Sequence, residues 1–190
     1  MKTLNKIFVS KFEEKRSIFL AHLAPYSHLK PLLSELRQRH PKARHFVSAV
    51  RFFDENLVLN EHFNDDGEPK KTSGLPMLNV LSGADLINVC AINVRYFGGI
   101  KLGTGGLVRA YSASLNQTIS QSELIEFVQK QSKACFVAHK DVSRFLHASQ
   151  KLGVELQDKV FSDLGVNCKC VGEQGLLDEL SQMPFTNFKI

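Results

Sequence analysis

Alternation of apolar and polar positions opens the chain: residues 3–12 (TLNKIFVSKF) and 16–23 (RSIFLAHL) read as two strands joined by the charged turn EEK. The period then changes. Leu29, Leu32, Leu33 and Leu36 recur at i, i+3, i+4 and i+7, so residues 27–40 are expected to be helical, capped by Ser27 and stopped by Pro41. Residues 42–53 return to alternation, with Phe46 and Val50 on one face and Val47 and Ala49 on the other. A short strand over 56–63 leads into NDDGEPKK, where Asn, two Asp, Gly and Pro together mark a turn. A helix over 72–83 opens at Thr72 or Ser73 and closes at Gly83, with Pro76 in its first turn. Residues 84–97 form a buried strand. Residues 103–120 form a helix whose buried stripe is Leu107, Tyr111, Leu115 and Thr118.

The pattern restarts near Lys130. Strand 133–139, helix 141–153 (Asp141 as cap, Gly153 past its end), strands 154–162 and 166–172, helix 173–183 and strand 185–190 give the order β-α-β-β-α-β of a ferredoxin-like unit. SELIEFVQKQS, between the two patterns, is a last strand of the first domain followed by a linker. The expected class is α+β, with a first domain over 1–127 and a second over 128–190.

One stretch concentrates glycine. RYFGGIKLGTGGLVRAYS (95–112) holds five of the 12 glycines. Alternation places Asn93 and Arg95 together at the end of an otherwise apolar strand, an arrangement that commonly borders a functional crevice. Thr104 is a candidate cap, which would leave the N–H groups of Gly105, Gly106 and Leu107 open to an anion at the helix start. Arg95, Lys101 and Arg109 would then surround that start. The alternative is a sharp strand-to-helix turn and nothing more. Neither the Walker loop nor the dinucleotide fingerprint is present.

Charge adds little constraint: 24 Lys+Arg against 19 Asp+Glu give a net charge of +5, which permits an anionic partner without requiring one. No apolar run approaches the about 20 residues that span a bilayer, and the first residues lack a signal-peptide core, so the expected location is cytoplasmic, without membrane contact. Four cysteines include no C-x-x-C and read as small buried hydrophobes rather than metal ligands.

RYFGGIKLGTGGLVRAYS resembles the signature of the YigZ/IMPACT family, NDDGEPKKTSGLPMLNVL its second motif and HPKARHFVSAVRF its third, in the family's order. The resemblance covers roughly residues 1 to 127. It implies a first domain similar to domain IV of elongation factor G, a sheet with helices on one face, and for bacterial members a ferredoxin-like second domain. Eukaryotic relatives are linked to translational control, and a nucleic-acid or ribosome role is the usual proposal for bacterial ones. No established catalytic residues come with it. Lys70 and Lys71 depart from the family, which usually has small residues after DGEP.

The remaining candidates are weighed by chemistry. Asp65, Asp66 and Glu68 are expected to be structural caps of their turn; Mg²⁺ ligation is the second reading, and pairing with Arg95 or Arg109 a third. Phe52, Phe53 and Phe63 have rings that stack on bases, though core packing explains most of them. The combined expectation is a non-catalytic RNA- or ribosome-binding protein connected with translation, with no cofactor and no metal. Its anion-binding residues would be Arg44, His45, Lys70, Lys71, Arg95, Lys101, Gly105, Gly106 and Arg109. The alternatives are a binder or enzyme acting on a phosphorylated small molecule at the glycine loop, and a protein-interaction module.

Overall fold

The structure is a computed structural model and describes residues 1–188. The chain forms two compact units, Met1–Phe127 and Val128–Ile190.

The first unit contains β1 (Lys2–Thr3), β2 (Phe8–Glu14), β3 (Ser17–Pro25), α1 (Leu29–Arg39), β4 (His45–Phe53), β5 (Leu59–Asn64), α2 (Gly74–Gly83), β6 (Val89–Tyr96), α3 (Gly103–Ser120) and β7 (Ile125–Glu126). Five of the strands make one sheet in the order β2-β3-β6-β4-β5, every neighbouring pair antiparallel. The strand that reads as apolar on both faces, β6, is thus central and needs an apolar layer on each side. Cys90, Ile92 and Val94 pack under α1 through Leu32 and Leu36. Val89 and Ala91 pack under α2 and α3 through Met77, Leu81, Leu107, Tyr111 and Leu115. Helices therefore cover both faces, where the family resemblance implied one.

Several local expectations shift. The expected first strand divides: β1 pairs with β7, and β2 pairs with β3. The helix expected from Ser27 begins instead with a 3-10 turn, Tyr26–His28, and α1 has no side-chain cap bond. Helix α3 starts at Gly103, so Thr104 lies inside its first turn and caps nothing.

One glycine fixes how the glycine block meets its neighbour. A Cβ at Gly98 would stand 2.0 Å from the carbonyl carbon of Arg16, and Gly98 N–H donates to Ser17 Oγ at 3.2 Å. Only a residue without a side chain allows the strand exit to pass the β2–β3 turn so closely.

The second unit contains β8 (Lys130–Ala138), α4 (Val142–Leu152), β9 (Glu155–Ser162), β10 (Gly165–Glu173), α5 (Gln174–Ser181) and β11 (Asn187–Phe188). Its sheet runs β11-β8-β10-β9, the strand order of a β-α-β-β-α-β unit. Only the first part of the expected closing strand lies among the described residues. Cys135, Cys168 and Cys170 are core members with Val137, Phe145 and Leu177. Among the described residues, no helix is long and apolar enough to cross a membrane, and no group of three or more His, Cys, Asp or Glu could hold a metal ion.

Candidate phosphate site in the first unit

The central strand sets the floor of the site. Arg95, one residue before the end of β6, is 5% exposed, opposite Phe19 of β3 and His45 of β4. A guanidinium at that depth requires a counter-charge. Glu68 supplies it: Arg95 Nη1 donates to Glu68 Oε1, both side chains being almost wholly buried. Tyr111 of α3 donates its hydroxyl to the same oxygen at 2.8 Å. Burial, reinforced by the Glu68 charge, pushes the Tyr111 phenol far above its ordinary range, so it stays a donor. Arg95 also lies over the ring of Phe19 (5.4 Å) and near that of Phe97 (5.9 Å). Its Nε, buried, has no hydrogen-bond partner in the protein.

The acidic turn divides its labour. Asp65 accepts from Lys71 N (2.8 Å), Ser73 Oγ (2.6 Å), Ser73 N (3.3 Å) and Gly74 N (2.8 Å), and so closes the start of α2 from nine residues upstream. Burial alone would raise its pKa, but these bonds outweigh it and hold the carboxyl below its ordinary value. Asp66 accepts from Phe46 N (2.6 Å) and Arg37 Nη2 (2.8 Å), while its carbonyl accepts from His45 Nδ1 (2.8 Å). His45 Nε2 then stands 4.0 Å from Glu68 Oε1. Of the three carboxylates only Glu68 reaches Arg95; Asp65 and Asp66 tie the turn to α2 and β4.

Above this floor lies a pocket of about 420 Å³ lined by Arg44, His45, Glu68, Pro69, Arg95, Phe97, Lys101, Leu102, Gly103, Thr104 and Leu107. Arg44 N–H donates to Arg95 O at 3.1 Å, which joins the two arginines across the strand ends. Leu102 is right-handed helical (φ −79°, ψ −22°), and Gly103 follows at φ +72°, a value that L side chains rarely adopt. A right-handed residue followed by a left-handed one turns successive N–H groups toward one concave side, a geometry that receives anions. Among the described residues, the N–H groups of Leu102, Gly103 and Thr104 have no backbone acceptor outside the helix. They are also at the positive end of α3.

Arg44, His45, Arg95 and Lys101 are therefore brought together, with the donors shifted from the expected Gly105–Leu107 to the residues just before them. Gly106 and Arg109 line a separate depression with Phe12, Glu14 and Lys15, and Gly105 lines neither. Lys71 lines a third with Asn79 and Val108, and Lys70 is exposed. Phe52 stacks on Tyr26 (3.8 Å, 6°) and Phe53 packs near Phe127 (5.8 Å), leaving Phe63 half-exposed. For Glu68 the third reading of the acidic turn, pairing with Arg95, is the one the structure shows; Asp65 and Asp66 follow the first, as structural groups of their turn. Sequence reasoning misses Phe97, which reads only as the end of a strand.

Comparison with known proteins gives relatives in sequence and in fold. Residues 15–119 match the Impact N-terminal domain. A Haemophilus influenzae protein named as an IMPACT family member is 36% identical over 157 residues, 82% of this chain and 74% of its own length. Escherichia coli YigZ is 43% identical over 114 residues, a stretch covering 57% of this chain and only 55% of that protein. A crystal structure described as that of a hypothetical protein superposes with a TM-score of 0.76 at 26% identity, over 95% of this chain and 88% of its own.

Proposed function

We propose that this chain, which belongs to the IMPACT family, holds RNA, free or in the ribosome, through a phosphate seated in the Arg44–Arg95–Lys101 pocket. The observation that carries the reading is a balance of charge and donors at one concave place. Three cationic residues and a single carboxylate line the pocket, and that carboxylate is already engaged by Arg95 and Tyr111. Leu102, Gly103 and Thr104 offer N–H groups beside it. Translational control, the setting that the family resemblance implies for eukaryotic relatives, fits such a ligand, and nothing in the pocket requires a reaction.

Phosphate contacts are electrostatic, so affinity should fall steeply with salt and depend little on sequence. Lys101 is exposed, and its substitution should leave the fold intact. In filter-binding titrations, Lys101→Ala should weaken RNA of every sequence alike and flatten the slope of log K against log salt by about one unit. An unchanged slope would remove Lys101 from the phosphate contact and the reading with it.

A second reading has its own support in the pocket's volume, which is that of a small-ligand site. On that reading the ligand is a free phosphorylated metabolite. Ribosome co-sedimentation and calorimetry with nucleotides separate the two.

A further inference from the structure

We infer that the pocket selects a terminal phosphomonoester at the end of a nucleotide chain over an internal phosphodiester, an inference that rests on the phosphate reading above. Depth is the first reason. Arg95 is 5% exposed, lines the pocket and carries a buried Nε without a partner. Only a group that enters the recess comes near its guanidinium. An internal phosphodiester has a sugar on each side and presents two oxygens edge-on, whereas a terminal phosphate projects from the chain.

Charge and donor count point the same way. A phosphomonoester carries a charge near −2 at neutral pH and three strong acceptor oxygens. Arg44, Arg95 and Lys101 against Glu68 leave two positive charges, a match for the dianion and an excess for a monoanionic diester. The donors of the lining also suffice for three oxygens: Lys101 Nζ and the N–H groups of Leu102, Gly103 and Thr104 at the α3 start.

The rim supplies the nucleotide part. Phe97 is 43% exposed, lines the same pocket and lies 5.9 Å from the Arg95 guanidinium. An exposed ring beside a basic recess is a stacking platform for whichever base comes first, independent of its identity. A 5′-phosphate and a 3′-phosphate share this chemistry.

The test uses the full chain and one short single-stranded RNA in three forms: 5′-phosphorylated, 3′-phosphorylated, and hydroxyl at both ends. Binding is read by fluorescence anisotropy, alongside thermal protection by a nucleoside monophosphate. At least one phosphorylated form should bind about tenfold or more tightly than the hydroxyl form, the effect of one or two charge-assisted hydrogen bonds. Lys101→Ala should remove that preference; Phe97→Ala should weaken both forms and keep it. The preference should also fade as pH falls through about 6, where the phosphomonoester regains its second proton. Equal binding of all three forms, still weakened by Lys101→Ala, overturns the terminal-phosphate inference and leaves RNA binding standing. If no RNA form binds while the monophosphate protects the parent and not Lys101→Ala, the RNA reading and the inference both fall, and the free-metabolite reading takes their place. No binding of either kind overturns both.

Discussion

Glu68 is the residue on which the site turns, because it serves stability and opposes binding at once. It neutralises Arg95 and accepts from Tyr111, both in surroundings that exclude water. Glu68→Gln keeps the shape and an acceptor for Tyr111 but leaves Arg95 buried without its counter-charge. Removing one partner of a buried pair costs about 3–5 kcal/mol, so the midpoint of urea unfolding should fall sharply. Phosphate affinity should move the other way, since the pocket gains one unit of net positive charge. Calorimetric titration with inorganic phosphate checks the second half. A variant that is less stable and also binds more weakly would show that Glu68 helps to hold the anion rather than opposing it. Cys90, by contrast, is chemically silent: burial pushes its thiol up to about 12.

At the scale of elements, what was legible was what repeats locally. The leucine stripe of α1, the two apolar faces of β6 and the Leu107–Tyr111–Leu115 stripe of α3 follow from period alone, and each packs as its spacing implies. Element starts were less legible because tertiary contacts set them. Asp65 closes α2 from outside the helix, and α3 begins before the residue with the best capping chemistry. The same limit displaced the candidate anion donors by three residues and sent Arg109 to another depression. Two glycines of the block should consequently respond in opposite ways. Gly98→Ala drives a Cβ into the Arg16 backbone and should cost about 3 kcal/mol or more, since backbone rather than a flexible side chain must move. At Gly105 a Cβ would meet only Arg109 Nη1, at 3.6 Å. Gly105→Ala should gain up to about 1 kcal/mol of helix propensity and leave phosphate affinity unchanged. Thermal melts of the two variants check the first pair of signs. Loss of binding in a folded Gly105→Ala would return the site to the later turn of the helix.

At the scale of the molecule, the α+β class and its two patterns were readable because each half carries its own hydrophobic register. The core clusters keep to that division: two draw only on residues up to Leu124, and one only on residues from Cys135 onward. We expect a fragment of residues 1–127 to retain native-like secondary structure and full phosphate affinity, because every pocket residue lies within it. Circular dichroism with calorimetry on the fragment would reveal a failure of either. The central claim, that an anion is held by Arg95, Lys101 and the start of α3, is tested most directly by nuclear magnetic resonance of the full chain titrated with inorganic phosphate. Saturable shifts are expected of the amides of Leu102, Gly103 and Thr104 and of the Arg95 Nε–H, all with one dissociation constant and all lost in Lys101→Ala. Shifts confined to Gly105, Gly106 and Arg109, or no saturable shift at any of these groups, would contradict it.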